Sequence, residues 1–173
     1  GKIQKKVLDS VLVHHSNHTV YLIDTLYGTS LNKGFISDII TKQWSFLSDD
    51  YIQKLPELNE IHFGEWQGLT FKETFVKYPK EAHNYFYDVK NYNAKNIKGE
   101  ELKDGLERFL KGLEKIREEQ KSGNILIVTH GTVLELFFNY IQNREADDLD
   151  ERKLIGNGQY KIFTFENEKY IAL

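Results

Sequence analysis

Two short segments of this 173-residue chain carry the side chains best suited to chemistry. The first is Thr129-His130-Gly131-Thr132. It follows Ile125-Leu126-Ile127-Val128, a run apolar enough for a parallel strand covered on both faces, and it leads into a helical pattern from Val133 to Gln142. A histidine at the carboxyl end of such a strand stands where open α/β sheets bind ligands, and the unpaired N–H groups of the next helix favour an anion. Gly131 would let that anion approach the backbone. The plainer alternative is that Thr129 or Thr132 caps the helix and His130 is a partly buried turn residue. The second segment holds Glu60, within Leu58-Asn59-Glu60-Ile61-His62-Phe63-Gly64-Glu65-Trp66-Gln67-Gly68, which follows neither helical nor strand period. A carboxyl desolvated beside Ile61, Phe63 and Trp66 would suit proton donation near neutral pH. Alternatively, Glu60 and Glu65 are solvated while Phe63 and Trp66 pack.

His14, His15 and His18 offer three imidazoles, but no carboxylate cluster surrounds them and they fall between a helical and a strand pattern. A solvated loop is the better reading, and no metal site is assigned. Phe75, Tyr78, Tyr85, Phe86, Tyr87 and Tyr92 would either line a substrate pocket or pack a small cap.

The elements that must position these residues alternate along the chain. Ile3, Val7, Leu8, Val11 and Leu12 have helical spacing, and Thr19-Val20-Tyr21-Leu22-Ile23 has strand composition. Gly28 and Gly34 punctuate a loop before a helical stretch over 35–48. Pro56 breaks the chain ahead of the Glu60 segment, and residues 70–92, with Pro79 inside, suggest two short helices or a lid. A cleaner helix over Glu101 to Glu119 presents Leu102, Leu106, Phe109, Leu110, Leu113 and Ile116 on one face and stops at Ser122-Gly123, so it is expected to cover a sheet. After the His130 unit, Tyr160 to Phe165 and Lys169 to Leu173 flank Glu166-Asn167-Glu168 as a hairpin. This order predicts an α/β three-layer sandwich with a mostly parallel central sheet, helices on both faces and a C-terminal β-hairpin. Residues 1–173 read as a single domain without repeat or linker.

Composition narrows the function classes. Lysine and arginine number 23 against 26 acidic residues, and the formal charge of −3 comes with no basic block, which argues against nucleic-acid binding. The chain has no cysteine, which removes disulfides, thiolate metal sites and cysteine nucleophiles. No apolar run approaches the length of a membrane span and no signal peptide is recognisable, so a soluble, cytoplasmic protein is expected.

Taken together, the two segments resemble the histidine phosphatase superfamily, in its phosphoglycerate-mutase-like and α-ribazole-phosphatase-like branch. Leu58 to Gly68 is similar to the family's Leu-x-Glu-Ile-x-Phe-Gly-x-Trp-Glu-Gly segment, and Ile127 to Thr132 to its second histidine motif. Gly99-Glu100-Glu101-Leu102 with Arg108 matches a Gly-Glu-Ser helix start and its arginine, and the closing hairpin agrees. The resemblance implies a metal-independent phosphomonoester hydrolase without cofactor, acting on a small phosphorylated molecule. A first histidine in an Arg-His-Gly motif would attack phosphorus, arginines and the second histidine would hold the phosphoryl oxygens, and the glutamate would protonate the leaving group. His130 then corresponds to the second histidine and Glu60 to the proton donor. His130, Gly131 and Thr132 are the expected phosphate-binding residues, and residues about 70–98 the lid or cap insertion.

Two features depart from the family pattern. Residues 1–173 contain no Arg-His-Gly, and Gly1-Lys2-Ile3-Gln4 is similar to the family's helix start after that motif, so the nucleophile's strand is expected upstream of Gly1. Near Thr29, where a Ser-Ser-x-x-x-Arg turn is expected, no arginine occurs; Lys33 would offer a point charge without the planar fork. The alternative reading is a catalytically inactive pseudophosphatase that binds a partner or a phosphorylated ligand. The sequence leaves the oligomeric state open, a homodimer included.

Overall fold

A computed structural model describes residues 18–21, 52–53, 55–121, 124–148 and 161–172. The helical patterns over 2–13 and 35–48, the Gly28–Lys33 region, His14 and His15 lie outside the described residues, as does the side chain of His18.

Three short strands pair in parallel, in the order β2-β1-β3: β1 (His18–Tyr21), β2 (Ile52–Gln53) and β3 (Asn124–Ile127). The register places Val20 opposite Ile52 on one side and Leu126 on the other. Of the apolar runs foreseen at 19–23 and 125–128, residues 19–21 lie in β1, with 22 and 23 outside the described residues, and residues 125–127 lie in β3; both strands start one residue earlier than expected. Between them, the aperiodic Glu60 segment forms two 3₁₀ turns, Pro56–Leu58 and Gly64–Trp66. Gly64 has φ +52, and a Cβ there would run into the carbonyl of Ile97, so only glycine fits.

Residues 70–92 form two short helices and a further 3₁₀ turn. Helix α1 (Phe71–Lys77) starts in a capping box: Thr70 N–H donates to Glu73 Oε2 at 2.8 Å and Glu73 N–H returns to Thr70 Oγ1 at 3.3 Å. Helix α2 (Pro79–Tyr87) places Pro79 at its first turn, where a missing N–H costs nothing. Their aromatics stack together: Phe71, Phe75 and Phe86 lie with ring centroids 4.7–5.6 Å apart. Phe71, Val76 and Tyr87 remain exposed.

The long helix α3 (Leu102–Glu119) buries Leu102, Phe109, Leu113 and Ile116 as its spacing predicts, with Leu106 and Leu110 half-buried. It packs on the Pro56–Leu58 turn and on α4 (Gly131–Ile141), whose Val133, Leu136 and Phe137 are fully buried. Phe109 and Phe137 meet with centroids 5.5 Å apart, and each such burial contributes about 1.5–3 kcal/mol. Helix α4 begins two residues ahead of the expected Val133. The C-terminal strands β4 (Phe163–Glu166) and β5 (Lys169–Ala172) pair antiparallel, and Phe163 and Tyr170 close on Phe137 at 4.9 and 5.3 Å. Asn167 and Glu168 both have positive φ, the turn geometry that matches strand twist. The described part is therefore α/β, with parallel strands, helices and a closing hairpin. None of its helices is long and apolar enough to cross a membrane.

Candidate active site

The segment before Glu60 belongs to no ladder, so its carbonyls need other donors. Four consecutive carbonyls find them in two side chains. Arg108 Nη1 donates to Glu57 O at 2.7 Å and Asn59 O at 3.0 Å, and its Nη2 to Glu60 O at 3.2 Å. Thr129 Oγ1 donates to Leu58 O at 2.6 Å. The hydroxyl that the sequence suggested as a helix cap instead ties the end of β3 to the Glu60 segment.

The close approach of that segment to α3 depends on two buried glycines. A Cβ at Gly105 would collide with Ile61 Cδ1, and one at Gly112 would come within 2.9 Å of both Glu57 Cβ and Leu58 Cδ2. Gly105, Arg108 and Gly112 share one helix face at i, i+3 and i+7, so backbone lies on the glycines while arginine sews it down. Arg108 also grips Glu100, with Nε to Oε1 and Nη2 to Oε2 both at 2.7 Å. Glu100 Oε2 accepts from His62 N–H at 3.1 Å, and Glu100 N–H donates to His62 O at 2.7 Å. Burial alone would push the Glu100 carboxyl up, but the Arg108 and His62 hydrogen bonds and the Arg108 charge hold it below the usual carboxylate range.

The Glu60 carboxylate turns the other way, onto the start of α4. Its Oε2 accepts from Thr132 N–H at 3.0 Å, and its Oε1 accepts from Val133 N–H at 3.1 Å and from Ile61 N–H at 3.0 Å. This corrects two expectations. What meets the carboxyl oxygens is backbone N–H rather than an apolar niche: Ile61 packs on α3, while Phe63 and Trp66 join Tyr85 in an aromatic cluster with centroids 5.1–6.1 Å apart. Nor are the N–H groups of Thr132 and Val133 open to an anion, since both are given to Glu60. The Thr132 hydroxyl is engaged as well, 3.1 Å from Tyr85 OH in a buried contact that ties α2 to α4.

His130 is the N-cap residue of α4, where its own side chain makes no cap bond. Glu60, His62, Lys98, Gly99, Arg108 and His130 contribute to one cavity of about 420 Å³. Burial pulls the His130 imidazole below its ordinary value; the Glu60 charge opposes this and the Arg108 charge adds to it. His62 Nδ1 accepts from Gly64 N–H at 3.2 Å. Lys98 at the cavity edge pairs with Glu65 at 2.6 Å, and Glu65 also accepts from Tyr78 OH at 2.8 Å.

Of the sequence-derived candidates, Glu60, His130, Gly131 and Thr132 thus come together around the start of α4. The sequence named Glu100, Arg108, Thr129 and Tyr85, but not what they do here: the Arg108 clamp on the Glu60 backbone and on Glu100, the Thr129 bond to Leu58 O and the Tyr85 contact with Thr132 were not foreseen. Two glycines flanking an arginine inside an otherwise strong helix were the available signal. Among the described residues no group of three or more His, Asp or Glu side chains could hold a metal ion.

A sequence model of the histidine phosphatase superfamily (branch 1) matches residues 40–173. A metal-independent phosphoserine phosphatase of Arabidopsis thaliana is 34% identical over 118 residues, covering 68% of this chain and 47% of that protein. The chain spans less than half the length of the curated relatives it matches. Among solved structures, Bacillus stearothermophilus YhfR superposes with a TM-score of 0.79 at 20% identity, covering 99% of this chain and 80% of that one. The α-ribazole phosphatase from Shigella flexneri gives 0.69 at 19% identity, covering 98% and 78%. With its glutamate and histidine segments meeting at one helix start, and with the family match running over most of its length, the chain belongs to the histidine phosphatase superfamily, branch 1.

Proposed function

We propose that this chain contributes the proton donor and a phosphate-holding histidine to a metal-independent phosphomonoester hydrolase acting on a small phosphorylated molecule. The observation that carries the reading is the convergence of Glu60 and His130, from distant segments, on one cavity at the start of α4. In the reaction the phosphorus–oxygen bond to the leaving group breaks as phosphorus bonds to the attacking nucleophile, water in the net hydrolysis, and the leaving oxygen takes its proton from Glu60 in its carboxylic-acid form, which is left as the carboxylate. His130, through its ring N–H, and Gly131, through its backbone, face the transferred phosphoryl group. Thr132 holds Glu60 and acts on phosphate only through it. No nucleophile is assigned among residues 1–173. In the architecture proposed here the three parallel strands are part of the central sheet of a three-layer sandwich within a single domain, and residues about 70–98 form a cap over the cavity. The relatives support this reading: one is a metal-independent phosphoserine phosphatase, another an α-ribazole phosphatase.

Isothermal titration with orthovanadate in excess chelator tests the proposal. Binding by the wild-type chain, weakened tenfold or more by His130→Ala, is expected. Binding that requires an added divalent metal, or that survives His130→Ala unchanged, overturns it. Vanadate binding without hydrolysis of p-nitrophenyl phosphate by the intact polypeptide would favour a phospholigand-binding module over an enzyme.

A further inference from the structure

The guanidinium of Arg108 has five N–H donors and all five are placed: two on the Glu100 carboxylate and three on the carbonyls of Glu57, Asn59 and Glu60. An arginine so committed lines the cavity without a donor left to offer a phosphoryl oxygen. Its bonds converge instead on the backbone from which the Glu60 side chain springs. Glu100 extends the same grip past Glu60 to both backbone groups of His62. The Glu60 backbone is thus anchored to α3 while its carboxylate is anchored to the amides of Thr132 and Val133 on α4.

We infer that Arg108, backed by Glu100, is a positioning residue of this site, setting where the Glu60 carboxyl stands relative to His130. The inference rests on reading Glu60 and His130 as the working pair. A planar fork is required for it. Lysine would keep the charge near His130, but a compact ammonium on a flexible stem cannot reach three carbonyls and two carboxylate oxygens at once. The glycines on either side of Arg108 fit this role, because any larger residue would lift the segment off the guanidinium.

A double-mutant cycle read by NMR tests the assignment, with the His130 imidazole titration as the signal and His130→Gln to identify its resonance. The Glu60 charge raises the His130 titration midpoint against the effect of burial, so Glu60→Gln is expected to lower it. Arg108→Lys keeps the positive charge and should lower the midpoint toward that of Glu60→Gln as the carboxylate loses its place. In the Glu60→Gln background, Arg108→Lys should shift it by less than half as much, because there is no carboxylate left to misplace. An equal shift in both backgrounds would mean that Arg108 acts by its own charge or by general loosening, and no shift in either would mean that it does not place Glu60; each overturns the inference. Should Arg108→Lys fail to fold by circular dichroism, Glu100→Gln enters the same cycle with the same expectation. The titration needs neither ligand nor turnover. A protein with this coupling but no vanadate binding would therefore discard the phosphatase reading and leave the role of Arg108 standing.

Discussion

The backbone N–H of Thr132 donates to Glu60 Oε2 at 3.0 Å across 72 positions of sequence. With the Val133 bond beside it, an acidic side chain from an irregular loop serves as the N-terminal cap of α4 in place of a local Ser, Thr, Asp or Asn. The residue proposed to donate a proton and the helix that carries His130 are joined through that carboxylate. Stability and chemistry are therefore coupled at this point, and they can be separated by substitution.

Glu60→Ala strips three backbone N–H groups of their acceptor and should destabilise the protein by about 1–2 kcal/mol, in the range of a lost helix cap. Glu60→Gln keeps one carbonyl oxygen and should lose less. Urea unfolding of the two variants beside the wild type measures both, and an alanine variant as stable as the glutamine one would show that the cap adds nothing.

Because burial depresses the His130 imidazole, with the Glu60 charge only partly offsetting it, folding becomes less favourable wherever the unfolded chain would take up that proton. The stability tied to His130 should be fully present above the unfolded value of about 6.5 and decline as the pH falls from there toward the folded value. Unfolding free energies at pH 8 and at mildly acidic pH should differ more in the wild type than in His130→Gln. An identical pH dependence in the two proteins would place the acid sensitivity elsewhere.

Gly105→Ala sets two effects against each other. The helix should gain up to about 1 kcal/mol in propensity, whereas displacing Ile61 from a filled interface should cost about 1–3 kcal/mol. Net destabilisation is expected. Ile61→Ala loses its own burial, yet in combination the two substitutions should cost less than their sum, which thermal denaturation of the four proteins can detect.

Tyr85→Phe removes only the hydroxyl that meets Thr132 Oγ1. Both residues are buried, at 4% and 5% exposure, so water cannot readily replace the contact, and a loss of about 0.5–1.5 kcal/mol is expected. Proteolysis within residues 70–98 should also quicken, since this bond fastens α2 to the α4 start. Unchanged cleavage rates would indicate that aromatic packing alone holds α2 down.

Local pattern carried much of the architecture. The apolar spacing of Leu102, Phe109, Leu113 and Ile116 specifies a helix and its buried face because a 3.6-residue period aligns those positions whatever lies opposite. Val20 and Leu126 fall in strands because short apolar, β-branched runs bounded by turns have few other ways to satisfy their backbone. The hairpin follows from two alternating runs around Asn167 and Glu168. The His130 segment is readable for the same reason, as a strand, a histidine, a glycine and a helix in immediate succession.

The tertiary structure decided what those residues touch. Glu60 looked like a carboxyl bedded among Ile61, Phe63 and Trp66 because they are its neighbours in sequence. In the fold, those side chains turn toward α3 and the aromatic cluster, and the carboxylate meets helix amides from far along the chain. Thr129 reads as a helix cap by position, yet its hydroxyl donates to Leu58 O because packing brings an unpaired carbonyl there. Arg108 shows the reason most clearly: flanking glycines hint at a close approach, but helical period does not tell an arginine facing solvent from one facing three carbonyls that lack ladder partners. Hydrogen-bond demand in an irregular segment is a property of the folded surroundings, and only they show that one guanidinium and one threonine hydroxyl meet it.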